Sequence, residues 1–207
     1  MLKQFYENDK IEVGLDEAGR GCLFGPVCVG AVVWLDDDPI KDDKDYEIRD
    51  SKKVSEKKRT LLKDYIKENA IAYSIQLIHN KDIDKYNILN ATMNGMHKCL
   101  DDITSLLSID TILVDGNHFE FYSDQNDNYI NHVCIVDGDN TYKSIAAASI
   151  LAKTYRDEWI YNLVDENPEL EKYDLRNNKG YGTKRHIDAI KQYGLTKWHR
   201  KSFKINI

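Results

Sequence analysis

The chain has 207 residues, of which 42% are hydrophobic and 31% charged, with a formal net charge of −6. That length supports a sizeable core, and the balance excludes a disordered or collagen-like polymer. No apolar run approaches the roughly 20 residues of a membrane span. The N-terminal segment lacks the apolar stretch of a secretory signal, and Cys22, Cys28, Cys99 and Cys134 show neither zinc-ligand nor disulfide-framework spacing, so a cytoplasmic protein with reduced thiols is expected.

In chain order, "KIEVGLD" predicts a strand ending near Asp16, and the β-branched run "GPVCVGAVVWL" predicts a second. The acidic stretch "WLDDDPIKDDKDYEIRD" reads as a solvated loop. "SEKKRTLLKDYIKENA" predicts a helix capped by the Ser55 hydroxyl. "IAYSIQLI" alternates as a third strand, and "NILNATMNGMHKCLDDI" carries apolar residues at helical spacing despite Gly95. "DTILVDG" predicts a short buried strand running into a turn, and "HVCIV" another strand. "SIAAASILAKTYRDEWIYNLV", rich in Ala and Leu, predicts a long helix. "TKRHIDAIKQYG" predicts an amphipathic helix closed by Gly194 in a left-handed cap. Early strands followed by alternating strand and helix give an α/β fold, a mixed sheet flanked by helices. With no repeat or Pro/Gly-rich linker, residues 1–207 read as a single domain with a short basic C-terminal segment from about 176.

That segment holds Arg176, Lys179, Lys184, Arg185, Lys191, Lys197, Arg200, Lys201 and Lys204 against Asp188 alone, a pattern that suits either a phosphate-binding surface or a solvated helix face. Four acids stand where strands give way to turns: Asp16, Glu17, Asp115 in "LVDGN" and Asp139 in "VDGDN". Sites in open α/β sheets gather at the carboxyl ends of strands, which can bring such acids together. Converging carboxylates repel one another. Hard divalent ions relieve that repulsion and take oxygen ligands. Two such ions about 4 Å apart activate water and stabilise the leaving oxygen of a phosphodiester. Taken singly, Asp115 or Asp139 beside glycine reads better as a turn residue hydrogen-bonding its own backbone. The adjacent Asp16-Glu17 pair before Gly19-Arg20-Gly21 is harder to read that way. Glycines there let the main chain approach a ligand closely, and a backbone against a sugar can meet the 2′-hydroxyl that distinguishes RNA from DNA. An ordinary turn accounts for them too.

The ordered set "GLDEAGRGCLFGPV", "DSKKVSEKKR", "NILNAT", "LVDGN", "GDNTYKSIAAASILAKTYRD", "GYGTKRHIDAIKQYG" and "HRKSF", spanning about Val13 to Phe203, resembles the motifs of bacterial-type ribonuclease HII. The related ribonuclease HIII usually carries Gly-Lys-Gly and an extra N-terminal domain, so Arg20 and the short stretch before Gly14 favour HII. The resemblance implies an RNase H-like fold and an endonuclease that cuts the RNA strand of RNA–DNA hybrids and single ribonucleotides embedded in duplex DNA. It implies cleavage 5′ of the ribonucleotide, leaving 3′-hydroxyl and 5′-phosphate ends, with two ions, Mg²⁺ or Mn²⁺. Asp16, Glu17, Asp115 and Asp139 would be the metal ligands, Asp16 shared between the ions. Gly19, Arg20 and Gly21 would inspect the 2′-hydroxyl together with Tyr181. Ser51, Lys52, Asn90, Lys143, Ser149 and Lys153 would be softer substrate contacts, with packing in a small-residue helix an equal reading for Ser149. His186 reads as structural, and for His199 and Arg200 fold stabilisation competes with phosphate binding. The chain departs from the pattern at Asp137, commonly lysine, and at Phe24, commonly small, and it stops short of a helical C-terminal extension found in some members. Asp137 thereby rivals Asp139 as a ligand, with the register of "TYKSIAAASI" favouring Asp139. A monomer without membrane contact is expected, its protein partners left open. The competing readings are a general metal-dependent nuclease on the same fold and a hybrid-binding module that no longer cuts.

Overall fold

The computed structural model describes residues 2–34, 46–48, 51 and 54–205. The acidic stretch 36–45 and the "DSKK" residue Lys52 lie outside them.

Three strands open the sheet. β1 (Glu12–Ala18) pairs antiparallel with β2 (Val27–Val33), and β2 pairs antiparallel with β3 (Ala72–Ile78). On its other side β1 pairs parallel with β4 (Thr111–Asp115), which pairs parallel with β6 (Tyr129–Ile135). The two-residue β5 (Tyr122–Ser123) closes the edge against β6, so the order is β3-β2-β1-β4-β6-β5. The mixed sheet anticipated from strand order is therefore present. β1 runs two residues past its expected end, because antiparallel pairing with β2 continues to Ala18↔Cys28. Parallel pairing with β4 has already stopped at Leu15↔Val114.

Helices cover both faces. α1 (Glu56–Asn69) begins at Ser55, whose hydroxyl accepts the Lys58 N–H as expected of that cap. α2 (Asn80–Tyr86) is a short helix that periodicity did not signal, and α3 (Ile88–Thr104) follows it. α4 (Lys143–Glu166) is the long Ala-rich helix; the four-residue α5 (Leu175–Asn178) and α6 (Lys184–Tyr193) complete the set. Gly194 closes α6 with φ 78°, as glycine allows, but with ψ −178° rather than in the left-handed helical basin. Among the described residues no helix is long and apolar enough to cross a membrane.

Alternation along β1 sorts its side chains. Val13 and Leu15 enter the core formed with Met93, Met96 and Leu100 of α3. Gly14, Asp16 and Ala18 therefore face the opposite side, towards α4. β2 is buried on both faces, which explains its unbroken apolar run. α4 lies against the sheet at backbone distance: a Cβ at Gly14 would come within 2.4 Å of the Ile145 nitrogen, and one at Gly30 within 2.5 Å of the Ala148 carbonyl oxygen. The contacts advance along α4 as they advance along β1, so this helix runs from the amino end of β1 to its carboxyl end.

Candidate active site

Asp16 sits where the parallel partner leaves β1. It pairs across to Gly30 on β2, while β4 places Asp115 one step beyond the last parallel pair. Two carboxylates far apart in sequence thus stand on adjacent strands at the same level of the sheet. Asp16 is 6% exposed, and its Oδ1 accepts the Glu17 N–H at 2.6 Å. Burial, followed by the negative charges of Glu17 and Asp115, pushes its carboxyl well above the usual carboxylate range. The Ser149 hydroxyl of α4 hydrogen-bonds this carboxylate and opposes the rise. Asp115 Oδ1 accepts the Gly138 N–H at 2.7 Å, which docks a single 3-10 turn, Gly138–Asn140, onto the end of β4. That turn carries Asp139, 1% exposed, one residue from the contact. Asp137 is exposed and left-handed at φ 55°, a basin that aspartate tolerates. Burial therefore separates the two rivals, with Asp139 turned inward.

The four acids supply hard oxygen donors, and Asp16 stands in a field that only a cation or a proton relieves. Their chemistry fits a divalent ion. Among the described residues, however, no group of three or more His, Cys, Asp or Glu side chains is arranged to hold one. The Glu17 carboxylate accepts from Arg20 at 3.4 Å. Bound metal would have to draw the carboxylates together.

The glycine turn divides into two parts. Gly19 has φ 85°, and a Cβ there would meet Arg156 Nε at 1.8 Å. Gly21 has ordinary φ, is exposed, and no described atom lies within 4 Å of its notional Cβ. The conformational argument holds for Gly19, whereas Gly21 presents open backbone. Arg20 is half exposed. Tyr181, 43% exposed, reaches the same neighbourhood: Leu23 N–H donates to the Gly180 carbonyl at 2.8 Å, and Cys22 Sγ to the Lys179 carbonyl at 3.6 Å. Lys153 Nζ lies 6.0 Å from the Tyr181 ring centroid and pairs with Asp157 at 2.7 Å. Burial raises the Tyr181 hydroxyl above its ordinary range.

The remaining expected contacts lie on α3, on α4 and beside α1. Ser51 and Ser149 are each 4% exposed and share a hydrogen bond of 2.9 Å, and Ser149 in turn hydrogen-bonds Asp16. Lys143, in the first turn of α4, stands over the Trp34 ring at 5.0 Å just past the carboxyl end of β2. Because α4 runs with β1 while β2 runs against it, that end lies away from the acids. Asn90 is exposed in the first turn of α3, its N–H donating to the Asn87 side chain at 3.0 Å. The basic C-terminal segment is partly neutralised: Arg176 pairs with Asp165 and Glu171, Lys179 with Glu56, and Arg185 with Asp174.

Periodicity gave no sign of Arg156, which is fully buried. It donates to the carbonyls of Pro26 at 2.9 Å, Lys179 at 2.8 Å and Phe24 at 3.0 Å. Arg200, also fully buried, donates to Gly25 and Arg20 carbonyls at 2.9 Å each, which settles its competition in favour of the fold. Burial lowers its pKa to about 10. Arg156 stands among Lys153, Asp157 and Glu158 on α4, where a charge gives no local sign of burial; its carbonyl partners come only with the fold. Phe24 is core, packing edge-on to His199 at 5.0 Å.

Residues 13–206 match the family model for ribonuclease HII. The chain is 48% identical over 205 residues to a ribonuclease HII from Christiangramia forsetii, covering 99% of this chain and 96% of that protein. It is 43% identical over 203 residues to one from Parabacteroides distasonis, covering 98% and 94%. Among solved structures it resembles the ribonuclease H2 of Pyrococcus horikoshii OT3, with TM-score 0.73 and 23% identity over 93% of each chain. The PCNA:RNase HII complex from Archaeoglobus fulgidus gives 0.71 at 21% identity, covering 95% of this chain and 96% of that one. A Bst-RNase HIII in complex with Mn²⁺ gives 0.63 at 20% identity, covering 89% and 63%. These likenesses establish the RNase H-like fold.

Proposed function

This chain belongs to the ribonuclease HII family and is a hydrolytic nuclease, and on that premise we propose that it cuts the RNA strand of RNA–DNA hybrids and single ribonucleotides embedded in duplex DNA. The cut falls 5′ of the ribonucleotide and leaves 3′-hydroxyl and 5′-phosphate ends. The observation that carries this reading is one continuous turn. Asp16 and Glu17 lie among the last paired residues of β1, at the level of Asp115, and the open backbone of Gly21 follows within five residues, tied through Leu23 to the segment bearing Tyr181.

Asp16, Glu17, Asp115 and Asp139 would hold two Mg²⁺ or Mn²⁺ ions, which when bound supply an activated water and stabilise the leaving oxygen. Each remaining part is performed by this chain. Asp16, hydrogen-bonded by Ser149, would be the carboxylate that serves both ions. The main chain at Gly19–Gly21 meets the 2′-hydroxyl, and the Tyr181 ring stacks on the following deoxyribose, where an added hydroxyl fits poorly. Lys153, held by Asp157, offers positive charge beside Tyr181. No protein nucleophile is needed; positioning supplies the rest. The enzyme works as a single-domain monomer in the cytoplasm.

The test uses three labelled duplexes: DNA with one embedded ribonucleotide, a long RNA–DNA hybrid, and DNA alone. Each is incubated with Mg²⁺, with Mn²⁺ or with chelator, and products are mapped to the nucleotide. Metal-dependent cutting 5′ of the single ribonucleotide with DNA untouched is expected. Cutting of plain DNA would replace the reading with a general nuclease, and binding without cleavage with a hybrid-binding module.

A further inference from the structure

Behind Tyr181 lies a buried polar pair in which neither ring touches the acids. His186 on α6 and His199 beyond it are both 0% exposed, with their Nε2 atoms 3.1 Å apart. The hydrogen bonds at the outer ends give this pair a direction. Thr196 N–H donates to His199 Nδ1 at 2.9 Å, and a main-chain N–H cannot accept, so that nitrogen carries no proton. The proton of neutral His199 then sits on Nε2 and donates to His186 Nε2. His186 in turn carries its proton on Nδ1, which lies 2.9 Å from the Tyr181 carbonyl oxygen. The same oxygen accepts the Thr183 N–H at 2.8 Å, and Tyr181 N–H donates to the Asn178 carbonyl at 2.9 Å. Two donors on one carbonyl fix the plane of the 181–182 peptide, and with it the direction in which the Tyr181 side chain leaves the backbone.

We propose that His186 and His199 are positioning residues for Tyr181, an imidazole pair that holds its main chain so that the ring meets the sugar beside the scissile bond. The inference rests on the reading of Tyr181 as a substrate contact. Packing alone does not require this chemistry. The rings sit among Phe24 and Tyr173, where an apolar side chain would fill the space without the cost of burying polar nitrogens. Burial holds His186 below its ordinary pKa and outweighs both the Tyr181 carbonyl and the negative charge of Asp174. Burial and the facing ring take His199 down to about 4. Both rings are therefore neutral at physiological pH, as the directed chain of hydrogen bonds requires.

The first test uses the native full-length chain. Nitrogen-15 NMR of its histidines at pH 7 should show His186 as the Nδ1–H tautomer and His199 as the Nε2–H tautomer. The opposite tautomer, or an imidazolium, at either ring overturns the proposal without any variant having to fold. The second test is kinetic, on duplex DNA with one ribonucleotide. His186→Phe should lower kcat about ten- to a hundredfold with KM within about twofold, the scale of a misplaced but still bound substrate. His186→Asn, whose amide can still donate to the Tyr181 carbonyl, should recover most of that loss. In a Tyr181→Ala background His186→Phe should change little more. Wild-type kcat in His186→Phe, or an undiminished loss in the Tyr181→Ala background, overturns the proposal. If Tyr181→Ala alone cuts like wild type, the substrate reading of Tyr181 fails and this proposal falls with it. A damaging Tyr181→Ala beside a harmless His186→Phe defeats the positioning role only.

Discussion

Replacing each glycine of the Gly-Arg-Gly turn by alanine separates folding from substrate approach. At Gly19 the added methyl would fall 1.8 Å from Arg156 Nε and 2.4 Å from its Cδ, with the backbone at φ 85°. Left-handed backbone costs an alanine about 1–2 kcal/mol. Arg156 cannot simply swing aside, because three carbonyls hold it in a fully buried position. Each charge-assisted hydrogen bond it gives up costs about 1.5–3 kcal/mol. Losing one of them together with the backbone strain destabilises the protein by about 4 kcal/mol, or about 10 °C in Tm for a chain of this size. At Gly21 the methyl meets no described atom within 4 Å, so stability should change by less than about 0.5 kcal/mol. If open backbone there is what admits the sugar, kcat/KM on a single embedded ribonucleotide should still fall by about tenfold or more, the loss expected of a contact worth ~1.4 kcal/mol in the transition state. Thermal melts in metal-free buffer and cleavage assays read the two effects. A Gly19→Ala melt within about 2 °C of wild type would refute the steric reasoning. A fully active Gly21→Ala protein would refute the backbone approach.

Asp16→Asn should abolish cleavage yet raise the Tm of the chelated protein. Because the folded carboxyl titrates above its unfolded value, the ionised group opposes folding once pH exceeds that unfolded value, and asparagine removes the conflict. A fall of several degrees would contradict this. Tyr181→Ala should lower kcat on a lone ribonucleotide about tenfold or more while binding shifts little, as expected when a group acts in orientation; single-turnover kinetics and duplex titration separate the two, and unchanged kcat removes Tyr181 from the site. His199 titrates near 4 when folded and about 6.5 when unfolded, so the unfolded chain binds more protons between these values and stability rises with pH across that window. Urea unfolding should show about 1.6 kcal/mol gained from this residue between pH 5 and 6.5, absent in His199→Asn. Equal pH slopes for the two proteins would contradict the buried neutral ring.

Much of the fold was legible in local pattern. The β-branched runs of β1 and β2, the Ser55 cap and the Ala-rich α4 each satisfy a rule that acts within a few residues, so periodicity and capping located them. α2 escaped because it is seven residues long and stands between a strand and a longer helix, where no period has room to repeat. The residue types of the candidate site were legible as well: acids at strand ends, and glycines where the chain turns.

Only tertiary structure decided what those residues face. Parallel pairing of β1 and β4 sets Asp16 beside Asp115 across nearly a hundred residues, and the field that raises the Asp16 carboxyl exists only after that pairing. The direction of α4 puts Ser149 under Asp16 and sends Lys143 to the other end of the sheet, although both lie in one motif. Arg156 reads as a surface charge beside Lys153 and Asp157, and sequence alone leaves Arg200 between fold stabilisation and phosphate binding. In the fold they are fully buried, each bonded to main-chain carbonyls of the Gly19–Pro26 segment. Local rules act along the chain and can be read there. Burial, electrostatic fields and hydrogen-bond direction depend on which distant segments meet.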